Sequence, residues 1–302
     1  MSQIFVMTST AEKILFIINP ISGATSKAAL PKLIETRLNT KWFQPEITFT
    51  DYAGQGKEIA LNAVKAGITK IIAVGGDGTI NEIAQTLIGT TGVLGIVPAG
   101  SGNGLARHLG IPMDSEKAIE LLNNHREICI DCATINDKYF FCTAGLGFDA
   151  HIGDVFARKT HRGLKGYITS TIKEFIAYPP EKYQLVIDGK TIERTAFLIT
   201  FANAAQYGNN AFISPEASIQ DGLLDVCILK PFGAINSLGI ALKLFTKKIN
   251  SSKYMEIIRC ESLTVRRSTP GVAHADGEPM QMGEVLNVKI IKDCLKVIVS
   301  NR

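Results

Sequence analysis

Two hydrophobic periodicities divide the chain. From Glu12 to about Asn124, short apolar runs alternate with segments whose apolar positions recur every three or four residues. KILFIINP (13–20), PEITFTD (45–51), the run ending in Gly75 and VLGIVP (93–98) predict strands. Leu30, Leu33, Ile34 and Leu38 mark one face of a helix, and GKEIALNAVKAG (56–67) predicts a second that Gly67 stops. DSEKAIELLNN (114–124) predicts another, capped by Asp114 or Ser115. Strands joined by crossover helices specify a mostly parallel sheet covered on both faces, an α/β domain.

After about Glu127 the pattern changes to strand upon strand. REICIDCATINDKYFFCTAG predicts two strands around Asn136-Asp137, and YQLVIDGKTIERTAFLITFAN a hairpin around Asp188-Gly189. DGLLDVCIL, YMEIIRCESLTVRR and EVLNVKIIKDCLKVIVS add further strands, with one helix, AINSLGIALKLFTKK (234–248), among them. The expected fold is an α/β nucleotide-binding domain over 1–130 followed by a β-rich, antiparallel sandwich over 131–285.

Composition narrows the class. With 302 residues, 46% apolar and 20% charged, the chain is long enough for two ordinary globular domains. Thirty-two Lys and Arg against 28 Asp and Glu give only +4, spread evenly, which argues against a nucleic-acid partner. No apolar run approaches the roughly 20 residues of a spanning helix, and MSQIFVMTSTAEK lacks the pattern of a signal peptide, so a cytoplasmic protein is expected. The six cysteines, Cys129, Cys132, Cys142, Cys227, Cys260 and Cys294, lie mostly in apolar runs and read as free, buried thiols. The CIDC at 129–132 has no partner motif that would make it a metal or redox site.

The chemistry concentrates in glycine. VGGDGTINEIAQTL (74–87) places three glycines and a carboxylate where a buried strand meets a helix. At the carboxyl ends of parallel strands, a glycine turn lets backbone N–H groups approach phosphate. The spacing fits neither GxGxxG nor GxxxxGK[ST]. A second loop of the same kind, AGSGNGLARHLG (99–110), follows the next strand, and the two could hold one polyphosphate. Asp77 among glycines would repel phosphate unless a divalent cation lay between them; as a bland alternative it caps a helix.

NPISG (19–23), GGDGTINE (75–82) and PAGSGNGLA (98–106) resemble, in order and spacing, the nucleotide-site motifs of the diacylglycerol-kinase catalytic-domain superfamily. SPEASIQDGLLDVCIL (214–229) resembles its cation loop and HADGEPM (274–280) its catalytic DGE segment. The resemblance implies an ATP-dependent, Mg²⁺-using lipid kinase. Asn19 and Thr50 would line the nucleotide site; Gly75, Gly76, Asp77, Gly78 and Thr79 would wrap the phosphates; Asn81 and Glu82 would open the next helix; Ser101, Gly102 and Asn103 would form the opposing loop. The metal ligands would be Asp221 and the carbonyls of Ser218 and Leu223, and Glu278 would be the general base, acting with Asp77. The family further implies that strands from about 286–302 return to the first domain. Ser101-Gly102-Asn103-Gly104 is similar to the GSGN form of sphingosine and ceramide kinases, which leaves the acceptor open among diacylglycerol, sphingoid bases, ceramide and other hydroxylated lipids.

A lipid substrate implies transient, peripheral contact with a membrane, and two segments combine basic and apolar residues as such contact requires: 157–178 and FTKKINSSK (245–253). His108 and His274, beside glycine loops, read as polar loop residues near the nucleotide. The oligomeric state stays open, a homodimer included. Two rivals remain: an NAD kinase, whose superfamily shares GGDGT, and a non-catalytic nucleotide or lipid sensor of the same fold.

Overall fold

The computed structural model describes residues 11–23, 27–100, 102–157 and 178–301. The chain divides into two units, Met1–Ile128 with Leu295–Arg302, and Cys129–Cys294.

In the first unit, strands β1 (Glu12–Ile18), β2 (Phe43–Phe49), β3 (Lys70–Gly75) and β4 (Val93–Pro98) alternate with helices α1 (Leu30–Arg37), α2 (Gln55–Lys65) and α3 (Asp77–Leu87). The short α4 (Gly104–His108) and α5 (Ser115–Leu122) follow. The strands pair in parallel in the order β2-β1-β3-β4, and Lys296 and Val297 extend the sheet beside β4. β3 and β4 are buried throughout, as a sheet covered on both faces demands. The register sets Ile18 beside both Phe49 and Val74, and Gly75 beside Pro98, so four carboxyl ends stand in line. Asp114 is the cap of α5, its side chain accepting the Lys117 N–H at 3.0 Å.

The second unit is an antiparallel sandwich. Its strands begin with β5 (His125–Ile135), β6 (Lys138–Phe140) and β7 (Thr143–Gly147), after which helix α6 (Phe148–Ala157) lies outside the elements predicted above. β8 (Glu181–Ile187), β9 (Lys190–Ala196), β10 (Leu198–Ala202), the short β11 (Gln206–Gly208) and β12 (Ala211–Phe212), and β13 (Leu224–Leu229) precede helix α7 (Ala234–Phe245). β14 (Met255–Cys260), β15 (Ser262–Arg267), β16 (Gly271–Ala275), β17 (Glu278–Met282) and the long β18 (Val285–Ser300) complete it. One sheet runs β14-β13-β10-β7-β16-β17; the other contains β18-β15-β8-β9 with β5 and β6. Ile199, Phe201, Val226 and Ile228 of the first sheet share a core with Leu185, Val265, Leu286 and Val288 of the second. Alternate residues, Leu198, Cys227 and Leu229, pack on the opposite face with Ile240 of α7, which explains why VCIL (226–229) is apolar without a break.

The expectation of six free cysteines fails at two. Cys132 of β5 and Cys294 of β18 form a disulfide, their Cα atoms 6.0 Å apart, while Cys129, Cys142, Cys227 and Cys260 remain thiols. Both bonded residues lie in strand patterns, so spacing gave no sign of the pairing. No helix among the described residues is long and apolar enough to cross a membrane.

Candidate active site

The three glycine-bearing motifs converge at the carboxyl ends of the first unit's strands. Asn19, just past β1, anchors its N–H on the Val74 carbonyl at 3.0 Å and donates its amide to Thr79 Oγ1 at 2.9 Å. Its own Oδ1 accepts the Ile21 N–H at 3.1 Å, curling NPISG into a turn. Gly23, at φ +67°, lies so close to the Ala99 carbonyl that no side chain would fit. Thr50 is buried one strand over, its N–H on the Ile18 carbonyl at 2.9 Å.

β3 passes into α3 through Gly75 and Gly76, and a Cβ on Gly75 would lie 2.7 Å from Thr79 Oγ1. The amides of the first turn of α3 carry the partial positive charge of a helix N-terminus and open toward the loop ends, a fit for anions. Asp77 does not cap its own helix. Its Oδ2 accepts the Asn103 N–H and its Oδ1 the Gly104 N–H, both at 2.7 Å, so it ties GGDGT to the opposing loop and caps α4 in trans. Gly100 and Gly102 make the approach possible: a Cβ on either would come within 2.5 Å of Gly76 Cα or Asp77 Oδ2 respectively. Asn103 stands in the left-handed region at φ 53°, buried, its amide on the Gly100 carbonyl at 2.8 Å and its Oδ1 buried with no hydrogen-bond partner among the described residues. Ser101 lies outside the described residues.

Asn81 and Glu82 are used elsewhere. Gln85 donates its side-chain amide to Asn81 on the surface of α3. Glu82 accepts the Lys57 N–H at 2.8 Å and the Gly54 N–H at 3.4 Å, which makes it the cap of α2, whose own N-cap residue, Gly54, has no side chain. Two cations not singled out from the sequence brace the cradle: Lys27 Nζ donates to the Ala99 carbonyl at 3.3 Å, and Arg107 Nε to the Gly102 carbonyl at 2.9 Å. Burial lowers the pKa of Lys27 and also that of His108, at the end of α4. Lys27 follows directly on NPISGATS, the one signal that could have found it.

In the second unit, Ala275 pairs with Glu278 across a two-residue turn, Asp276-Gly277, with both φ values positive at 48° and 85°. Asp-Gly is the pair such a hairpin favours. The Asp276 carboxylate accepts three backbone N–H groups, of Phe141 and Cys142 at 2.8 Å and of Thr143 at 3.0 Å, and its own N–H donates to the Thr143 carbonyl at 2.7 Å. The turn is thereby clamped to the segment entering β7. Glu278, first residue of β17, is exposed.

His274 is not in a loop but buried in β16, 3.2 Å from Asp149 Oδ2 at the start of α6. Thr200 donates to the same oxygen at 2.8 Å and Tyr207 at 3.3 Å, and burial holds the Tyr207 phenol well above its ordinary pKa. Gly145 makes room for the cluster, since its Cβ would come within 2.8 Å of His274 Nε2. This cluster, two residues along the strand from the Asp276 turn, was missed by reading the sequence. The one hint was that TAGLGFDA repeats the design of a glycine strand end followed by a helix and a carboxylate.

In the expected cation loop, Asp221 is exposed and accepts the Leu223 N–H at 3.1 Å. Gly222, at φ +70°, donates to the buried Asp131, whose other oxygen takes the Asp293 N–H at 2.9 Å. Asp221 with the Ser218 and Leu223 carbonyls is an all-oxygen donor set, the kind a hard divalent cation takes. Among the described residues, no group of three His, Cys, Asp or Glu side chains is arranged to hold a metal. Asp225 is buried against Arg259, Nε to Oδ1 at 3.0 Å, as an ion-pair partner.

The diacylglycerol kinase catalytic domain model matches residues 13–135, and that of the YegS C-terminal NAD kinase beta sandwich-like domain matches residues 143–299. A diacylglycerol kinase of Mycobacterium tuberculosis is 30% identical over 277 residues, 88% of this chain and 88% of that protein. An uncharacterized protein of Synechocystis sp. is 31% identical over 281 residues, 87% of this chain; the match spans 64% of that longer protein. Among solved structures, a diacylglycerol kinase from Bacillus anthracis str. Sterne shares the fold, with a TM-score of 0.72 at 20% identity over 96% of this chain and 97% of that one. On its sequence and on both halves of its fold, the chain belongs to the diacylglycerol kinase catalytic domain family, with a YegS-type C-terminal sandwich.

Proposed function

We propose that the protein is a lipid kinase that transfers the γ-phosphoryl group of Mg-ATP to the hydroxyl of a membrane lipid such as diacylglycerol or a sphingoid base. The observation that carries this reading is the convergence of NPISG, GGDGT and the Gly100–Gly104 loop at one set of strand ends, joined through Asp77. Phosphoryl transfer needs little from a protein beyond positioning, charge neutralisation and one proton acceptor.

The glycine loops and the N-terminus of α3 bind and orient the triphosphate; Asn19 and Thr79 fix the floor of the cradle, and Lys27 and Arg107 hold its rim. Glu278 accepts the proton of the lipid hydroxyl as its oxygen bonds to the γ-phosphorus, the bond from that phosphorus to the β,γ-bridging oxygen breaks, and ADP leaves. The DGE turn sets where that carboxylate stands, through the three amides on Asp276. Asp221 with the Ser218 and Leu223 carbonyls would hold a divalent cation in the sandwich unit, and magnesium on the nucleotide would neutralise phosphate charge.

The test is transfer of labelled γ-phosphate to diacylglycerol, sphingosine, ceramide and NAD, each presented separately, by wild type, Asp77→Asn and Glu278→Gln. A labelled lipid that both substitutions abolish is the expected result. Label in NAD alone would install the nucleotide-kinase rival, and ATP binding without transfer to any acceptor would install the sensor.

A further inference from the structure

Helix α7 is apolar on two opposite sides. Ile240 and the partly buried Leu244 pack inward against the cluster that includes Cys227, Leu229 and Met255. On the other side Ile235 is 96% exposed, Leu238 70%, Leu242 56% and Phe245 59%. At about 100° per residue these four fall within an arc of roughly 80°, centred almost opposite Ile240 and Leu244. Four large side chains in one stripe are far more than the scattered exposed apolar residues of an ordinary surface.

The charge around the stripe is of one sign. From Lys230 to Lys253 the sequence carries Lys230, Lys243, Lys247, Lys248 and Lys253 and no acidic residue. Glu256 neutralises Lys230 at 3.0 Å, and the others cluster at the C-terminal end of the helix. Lys247 sits there at φ 59°, just past the C-cap Thr246, with its Nζ 4.5 Å from the centre of the Phe212 ring. A second copy of this chain is a poor occupant, because a two-fold contact through α7 would offer these lysines no carboxylate from residues 230–253, whichever way the two helices ran. An anionic bilayer supplies both what the stripe and what the lysines lack: apolar chains at shallow depth and negative headgroups above them.

We infer that α7 is the element that docks this protein on anionic membranes, Ile235, Leu238, Leu242 and Phe245 entering the headgroup boundary and Lys247 and Lys248 facing the phosphates. The inference rests on the lipid-kinase reading for its purpose, but its test needs no turnover.

Co-sedimentation would be measured with phosphatidylcholine vesicles and with vesicles containing about 30 mol% phosphatidylglycerol. The proteins compared are wild type, Leu238→Glu/Leu242→Glu and Lys247→Gln/Lys248→Gln. All substituted side chains except Lys247 stand free of the core, and circular dichroism checks that each variant is folded. Wild type is expected to partition roughly tenfold or more in favour of the anionic vesicles, and each variant to lose about that factor. Phosphorylation of a short-chain, water-soluble diacylglycerol should be unchanged in both variants. Equal binding by wild type and variants, or no preference for anionic vesicles, would overturn the inference, as would a dimer in sedimentation equilibrium that Leu238→Glu/Leu242→Glu dissolves. Anionic-vesicle binding that depends on α7 without phosphoryl transfer to any lipid would support docking and sink the kinase reading alone.

Discussion

Asp77 and Gly104, 27 residues apart, are joined by a hydrogen bond of 2.7 Å from the Gly104 N–H to Asp77 Oδ1. The carboxylate expected from the sequence to meet a cation is also the cap of α4. Asp77→Ala would strand two amides, at a cost of about 1–3 kcal/mol each if they remain buried. The expected outcome for Asp77→Ala is a loss of about 2–4 kcal/mol in denaturant unfolding together with loss of ATP binding. Asp77→Asn, which keeps one acceptor, should lose less stability and as much activity.

Glu278 and Asp276 should separate cleanly. Glu278 is exposed, so Glu278→Gln is expected to leave the unfolding midpoint in place and to lower kcat by about 10²–10⁴-fold, the span of a lost general base. Asp276→Ala removes the acceptor of three amides and is expected to cost about 3–5 kcal/mol while lowering kcat as well. Urea titration and steady-state kinetics on both variants check the contrast.

Gly100→Ala and Gly145→Ala test the two close approaches. The added methyl meets Gly76 Cα in one case and His274 with Asp149 in the other. Each should cost about 1–3 kcal/mol of stability, as overpacking does. Gly100→Ala should in addition raise the KM for ATP, because the two loops it holds together must part.

His108 supplies a pH dependence. Burial lowers its folded-state pKa below the unfolded value of about 6.5. As pH falls below about 6.5 the unfolded chain takes a proton that the folded chain does not, so stability falls until the folded pKa is passed. Above that window the residue contributes no slope. Unfolding midpoints measured across the range should fall toward low pH, and His108→Gln should flatten that decline relative to wild type.

Thiol titration addresses the disulfide. In denaturant without reductant, four of the six cysteines should react, and all six after reduction. In the native protein Cys260 and Cys227 should react slowly, since burial pushes Cys260 up to about 11 and Cys227 higher still.

What could be read from the sequence was local. The run into Gly75-Gly76 declares a strand end and a helix start within a few residues, and Asp114 and Asp188-Gly189 announce a cap and a turn by their neighbours alone. The unread part depends on partners brought together by folding. Glu82 caps a helix that begins 27 residues earlier, Asp149 meets His274 across 125 residues, and Asp276 holds amides more than 130 residues away. Hydrophobic periodicity carries no information about such pairs. Even the two strands of YMEIIRCESLTVRR, which are adjacent in sequence, enter different sheets, β14 beside β13 and β15 beside β18 and β8.

Strand β18 is shared by the two units. Val285 to Lys289 pair with β15 in the sandwich, whereas Lys296 and Val297 complete the parallel sheet beside β4. The glycine cradle therefore has one flank of its sheet open until residues 296–297, which follow the whole sandwich in the chain, are in place beside β4. The sandwich, continuous from Cys129 to Cys294, can assemble in the meantime. Loss of the pairing with β4 would leave the first unit's sheet with an unpaired strand edge, the kind of surface that chaperones and proteases recognise.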